Sequence, residues 1–255
     1  MPSGFLDQAG PLAFAHRGGA AHAPENSWPA FEGAVGLGYR YLETDVQATS
    51  DGILIAFHDR TLDRVTDRTG RVARMPYREV AAARIGGMEP IPRVEDLLAA
   101  WPQARFNLDI KDEPAIAPLI QVLRRAGAWD RVCVTSFSPR RLAAFRRGVD
   151  RQVCTALSPI GLAAVRSGAW TGALAARLAR VGVGCAQIPV RLATPPFLAL
   201  LRGVGMQIHV WTVNEPAMMR RILDLGVDGI MTDETVALRD VLSDRAEWRG
   251  NGQGR

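Results

Sequence analysis

Short apolar runs alternate with helix-period segments along most of the chain. Leu12 to His16 is an apolar run that ends in Arg17-Gly18-Gly19, which reads as a strand opening into a glycine-rich turn. A helix is expected from about Ser27 to Leu37, with Ser27 at its N-cap and Gly36 and Gly38 closing it. Further strands are expected over 39–46, 105–110, 131–135, 152–157, 184–188, 206–213 and 227–231. Helical patterns follow over 94–101, 114–126, 139–147, 160–181 with a break near Gly168, 195–203, 215–225 and 235–242.

Eight strands, each followed by a helix, form the pattern of a (β/α)8 TIM barrel. An open doubly wound sheet alternates in the same way, but no GxGxxG opens the first helix and eight units favour closure. One segment breaks the rhythm. After the second strand, Ser50-Asp51-Gly52 signals a hairpin and 53–57 a returning strand. The polar Arg-, Gly- and Pro-rich stretch that follows reads as a small insertion, about 47–92 in all. The expected organisation is one barrel domain over 1–243 and a polar, glycine-rich, disordered tail over 244–255.

Active sites of such barrels lie at the C-terminal ends of the strands. His16 ends the first strand; Glu43 and Asp45 lie two apart near the end of the second and share a face. Asp109 and Lys111 repeat that spacing on the third strand, His209 and Trp211 on the seventh, and Asp233 follows the eighth. If Asp51-Gly52 is a two-residue loop, Ser50 pairs with Ile53 and His58 falls opposite Asp45. Glu43, Asp45 and Asp109 could not all stay ionised at close range without a cation. An all-oxygen set suits Mg²⁺ or Ca²⁺ better than zinc. Two histidines beside such a site suggest acid–base chemistry, and Arg17 and Lys111 suit a phosphate oxyanion. Phosphodiester cleavage follows as the preferred reaction. Glu25 and Asn26 either bind metal or substrate or cap the first helix. Trp211 either walls the organic part of the substrate or packs in the core.

Composition narrows the partners. The net charge of +5 comes from scattered arginines, without a basic stripe interleaved with aromatics, so nucleic acid is not an expected partner. Thirty arginines stand against one lysine, Lys111, which singles that position out. No apolar run reaches the roughly eighteen residues of a membrane span, and no secretory signal is visible, so stable membrane insertion is not expected. Cys133, Cys154 and Cys185 lie in apolar runs without a CxxC or nearby His pair; buried thiols in a reducing cytoplasm are expected.

Several segments together resemble the glycerophosphodiester phosphodiesterases: HRGGAAHAPENSWPAF, YLETDVQATSDGILIAFHD, NLDIK at 107–111, VWTVN at 210–214 and GVDGIMTD at 226–233. The resemblance spans nearly the whole chain. It implies a TIM barrel with a small insertion after the second strand and His16 and His58 as the acid–base pair. It also implies Mg²⁺ or Ca²⁺ on Glu43, Asp45 and Asp109, phosphate held by Arg17 and Lys111, and assistance from Glu25. The implied reaction converts a small-molecule glycerophosphodiester to sn-glycerol 3-phosphate and an alcohol. Asp109 stands where the family often has Glu, and PENS where PENT is more usual. A lysophospholipase D-like enzyme would need an apolar ramp beside the mouth, and no run in the sequence clearly supplies one. A non-catalytic phosphate-ester-binding barrel would lack a ligand or a histidine, and none is missing.

Overall fold

The computed structural model describes residues 4–250. The elements run β1 (Leu12–Ala15), α1 (Trp28–Gly36), β2 (Tyr41–Ala48), β3 (Leu54–Ala56), α2 (Tyr77–Val80), β4 (Arg84–Ile85), β5 (Glu89–Pro90) and α3 (Val94–Ala100). The regular part continues with β6 (Arg105–Ile110), α4 (Ile116–Ala126), β7 (Val132–Thr135), α5 (Pro139–Gly148), β8 (Cys154–Ala156), α6 (Pro159–Arg166) and α7 (Gly172–Arg180). It closes with β9 (Val183–Pro189), α8 (Pro195–Gly203), β10 (Gln207–Trp211), α9 (Pro216–Asp224), β11 (Gly229–Thr232) and α10 (Thr235–Asp244).

The strands hydrogen-bond in the order β1-β11-β10-β9-β8-β7-β6-β2, and β1 also pairs with β2, so the sheet closes as a (β/α)8 barrel. Helix starts follow from local chemistry. Ser27, Ser138, Ser158 and Thr171 each accept a backbone N–H at the first turn of α1, α5, α6 and α7. The outer faces of the strands pack on the helices around Leu42, Phe106, Leu108, Ile188 and Ile208, all fully buried. Inside the barrel lie Phe14, Tyr41, Met231 and the three cysteines. Phe5 and Leu6 plug its N-terminal end; the Tyr41 hydroxyl donates to the Phe5 carbonyl at 2.9 Å.

The insertion has a core of its own, built from Ile55, Phe57, Leu62, Val72, Val80, Ile85 and Ile91. Its entry corrects the two-residue hairpin. The observed pairs are Val46 with Ala56, Gln47 with Ile55 and Ala48 with Leu54. The Thr49 N–H donates to the Ile53 carbonyl at 3.0 Å, so Ser50, Asp51 and Gly52 form a three-residue loop. Gly52 has φ +81, the left-handed residue that closes such loops. Phe57, not His58, therefore faces Asp45, and its N–H donates to the Asp45 carbonyl at 2.9 Å. His58 reaches the mouth because the chain then leaves the ladder and wraps the Gln47 side chain. That amide donates to the carbonyls of Phe57, His58 and Asp59.

The expected disordered tail is corrected over part of its length. The Trp248 N–H donates to the Leu242 carbonyl at 3.1 Å, and its ring meets Tyr39 edge-on at 5.1 Å. Residues 251–255 lie outside the described residues.

Candidate active site

A cavity of about 540 Å³ opens at the C-terminal end of the barrel. His16, Arg17, Glu43, Asp45, His58, Asp109, Lys111 and Trp211 all line it. The expected acid–base, acidic and basic groups thus meet at one rim, His58 by its path around Gln47 rather than by the expected register. Glu25 and Asn26 stand behind it.

The turn after β1 sets the first histidine. Arg17 has φ +51 and Gly18 φ +84, a tight left-handed turn. Any side chain at Gly18 would put its Cβ 2.9 Å from the Phe31 backbone nitrogen, so glycine lets the turn lie against α1. The turn aims the Arg17 N–H at Glu43 Oε2, 3.0 Å away. It also sets His16 Nδ1 2.7 Å from Asp233 Oδ1. Asn214 holds Asp233 in turn: its side-chain amide donates to Asp233 Oδ2 at 2.9 Å and its carbonyl accepts the Asp233 N–H at 3.0 Å. His16 Nε2 is left facing Glu43 Oε2 at 3.9 Å. Burial alone would lower the His16 pKa, but Glu43 and the Asp233 hydrogen bond outweigh it and hold the imidazole above its ordinary range.

The second histidine is anchored in the same manner. His58 Nδ1 lies 2.6 Å from Asp59 Oδ1. Arg64, from the insertion, bonds the other oxygen of Asp59 and reaches both oxygens of Glu25 at 2.7 and 2.9 Å. Arg17 Nη1 donates to Glu25 as well, at 3.0 Å. Glu25 is thus the joint between the β1 turn and the insertion. Burial pushes its carboxyl up, yet the two guanidiniums hold it below the usual range.

The acidic set follows from register. Asp45 lies level with Asp109 across the β2–β6 ladder, and Glu43 level with Asn107. Glu43, Asp45 and Asp109 are 5, 2 and 5 % exposed. Lys111 Nζ bridges Asp45 Oδ1 and Asp109 Oδ2, each at 2.7 Å. Burial raises the pKa of Asp45, but Lys111 and Arg17 overcome it and the net shift is down. Burial raises Glu43, helped by neighbouring Asp45, and raises Asp109 despite Lys111. Asn26, expected at the substrate, is 1 % exposed; its side chain donates to Asp45 Oδ2 at 3.2 Å and accepts the Thr44 hydroxyl at 2.7 Å. It braces a carboxylate from behind.

The donor set suits a hard divalent cation: three carboxylates, with Asp109 Oδ1 buried and lacking a hydrogen-bond partner. Lys111 bonds one oxygen of each aspartate, Asp45 Oδ1 and Asp109 Oδ2. Among the described residues, one set of three His, Cys, Asp or Glu ligand atoms lies within 4.8 Å of one another, and it is the cysteines. The three carboxylates are thus not gathered as closely as the cysteines; Asp45 and Asp109 share Lys111, whereas Glu43 accepts the Arg17 N–H.

The opposite wall is apolar: Phe137, Leu157, Leu162, Leu192, Phe197 and Trp211. The Phe137 and Trp211 rings meet edge-on at 5.6 Å, and Phe137 is 63 % exposed. His209 lies below the cavity, fully buried against Phe14, with neither ring nitrogen hydrogen-bonded. The anchors Asp233, Asn214, Asp59 and Arg64 were not assigned roles from the sequence. The adjacent His58-Asp59 pair and the polar residue just past the last strand were the available signals.

A barrel rim with two aspartate-anchored histidines, buried carboxylates and two cations is equipped for acid–base chemistry on an anionic ester. Residues 16–237 match the model of the Glycerophosphoryl diester phosphodiesterase family, and the chain belongs to that family. It is 42 % identical over 254 residues to "Probable glycerophosphodiester phosphodiesterase 2" of Mycobacterium tuberculosis, covering 96 % of each chain. The crystal structure of a "Putative glycerophosphoryl diester phosphodiesterase" from Silicibacter pomeroyi superposes with a TM-score of 0.80 at 25 % identity, covering 95 % of this chain and 98 % of that one. An Oleispira antarctica phosphodiesterase, solved with its product sn-glycerol-3-phosphate, gives 0.78 at 22 % identity over 92 and 97 %.

Proposed function

We propose that this enzyme hydrolyses glycerophosphodiesters to sn-glycerol 3-phosphate and an alcohol, with His16 and His58 as the acid–base pair. The observation that carries this reading is the matched anchoring of the two histidines. Each has Nδ1 on an aspartate, 2.7 Å for His16 and 2.6 Å for His58, which leaves Nε2 as the working nitrogen in both. One takes the proton of the attacking oxygen and the other gives a proton to the leaving alkoxide. Arg17 and Lys111 offset the charge that gathers on the phosphoryl oxygens. Glu43, Asp45 and Asp109 would hold Mg²⁺ or Ca²⁺, and such an ion supplies Lewis-acid polarisation of a phosphoryl oxygen. The orphaned Asp109 oxygen supports this assignment.

A second reading has its own support. The apolar wall around Phe137, Leu162, Phe197 and Trp211 would accept the acyl chain of a lysophospholipid, in the manner of a lysophospholipase D. A panel of glycerophosphodiesters and lysophospholipids, assayed with Mg²⁺, Ca²⁺ or EDTA, decides. Release of glycerol 3-phosphate from the acyl-free diesters, abolished by EDTA and restored by either ion, is the expected outcome. Undiminished turnover in EDTA would remove the metal from the mechanism. Turnover of acylated substrates alone would establish the second reading.

A further inference from the structure

A second set of reactive side chains lies inside the barrel, outside the reaction described above. Cys133 on β7, Cys154 on β8 and Cys185 on β9 face inward, and their sulfurs all lie within 4.8 Å of one another. They are 0, 1 and 0 % exposed. The ladder explains the convergence. Cys133 lies level with Cys154, and a register shift at Thr155–Ala156 sets Cys185 level with Ala156, on the same inward face. We propose that this cluster is a three-thiolate site for one thiophilic monovalent ion, Cu(I).

Three features select that chemistry. Metal–thiolate bonds are about 2.3 Å long, so three sulfurs in a plane around one ion stand roughly 4 Å apart. The Cys133 and Cys185 sulfurs are 3.8 Å apart before any ion binds. Structural zinc sites almost always take four ligands. Among the described residues no His, Asp or Glu ligand atom joins this set, and the surroundings are Phe14, Tyr41 and Met231. A soft ion content with three thiolates fits where zinc does not. Hard cations, by contrast, are directed to the oxygen-lined rim above.

The route in lies through that rim. Asn107 and Gln187 line the catalytic cavity and are hydrogen-bonded to each other at 2.7 Å. Asn107 is level with Cys133, and Gln187 follows Cys185 by two residues on the same face. This amide pair is the lid between cavity and sulfurs. As each S–Cu bond forms, the thiol proton leaves to solvent. Copper enters as Cu(I) and stays so; no electron is transferred.

The test titrates the full reduced chain anaerobically with Cu(I) buffered by bathocuproine disulfonate. A single ion per chain, an ultraviolet thiolate-to-Cu(I) band and a raised melting temperature are expected. X-ray absorption should show a three-coordinate, sulfur-only shell. Cys133→Ala, Cys154→Ala and Cys185→Ala should each lose the ion while keeping phosphodiesterase activity. Copper retained by all three variants, nitrogen or oxygen in the shell, or equally tight four-coordinate zinc at these cysteines would overturn the assignment. The absorption spectrum of the unaltered protein decides even where a variant fails to fold.

Discussion

The two walls of the cavity are built in opposite ways. On the β1–β2–β6 side, neighbouring strands deliver charge in register: Asp45 sits level with Asp109, and Lys111 spans both. Each group is fixed by partners that are themselves fixed, as Asn214 fixes Asp233 and Asp233 fixes His16. On the opposite side, Phe137, Leu162, Leu192 and Phe197 come from the segments that follow β7, β8 and β9, and Trp211 from the end of β10, each contributing a side chain or two. Charge needs precise placement because the strength of a hydrogen bond falls steeply with misalignment. Apolar contact is non-directional and tolerates looser assembly. The polar wall should therefore control the chemical step, and the apolar wall the choice of substrate.

The largest expected effect tests the polar wall. His16→Ala or His58→Ala should lower kcat by about 10²–10⁴-fold for every substrate accepted, in steady-state assays of released glycerol 3-phosphate. A loss confined to one substrate class would break the division of labour. A smaller effect is expected opposite. Trp211→Ala or Phe137→Ala should raise KM up to about tenfold with kcat little changed, because an aromatic contact is worth about 0.5–1.5 kcal/mol. That rise should be confined to substrates with an apolar group. An equal penalty on a small polar diester would give the aromatic rings a part in the reaction itself.

The smallest effect on activity is expected beneath both walls, at His209. Burial pushes its pKa down to about 3, against an ordinary value of 6.5. Below pH 6.5 the unfolded chain takes up a proton that the folded protein refuses, so this residue costs stability as the pH falls towards 3. The slope is about 1.4 kcal/mol per pH unit. His209→Leu should flatten the acid limb of a denaturation-versus-pH curve and leave turnover near its original value. An unchanged acid limb would mean that the ring finds a partner for its proton.

Much of this was legible beforehand. The eight strands follow from short apolar runs, and His16, Glu43, Asp45, Asp109, Lys111 and Trp211 all fall at strand ends, where the barrel places its mouth. What escaped depended on distance or on backbone detail. The His16–Asp233 bond joins residues 217 positions apart, across the seam where the barrel closes. The hairpin register turned on whether Gly52 ends a two- or a three-residue loop, and both are common with that sequence. The apolar wall left no run to find, because no single segment builds it. The cysteines could be read as buried one at a time; their meeting depends on barrel stagger and on a register shift.

The two histidines belong to different compartments of the molecule. His16 extends from a strand of the closed barrel, whereas His58 follows directly on Phe57, a residue of the insertion's separate core, and its anchor Asp59 is tied to Arg64. That second core is far smaller than the barrel's. A smaller core costs less to open locally, so on warming activity should fall before the barrel's own secondary structure does, which turnover and circular dichroism followed over the same temperature ramp would show; coincident loss of both would tie the two cores into one unit.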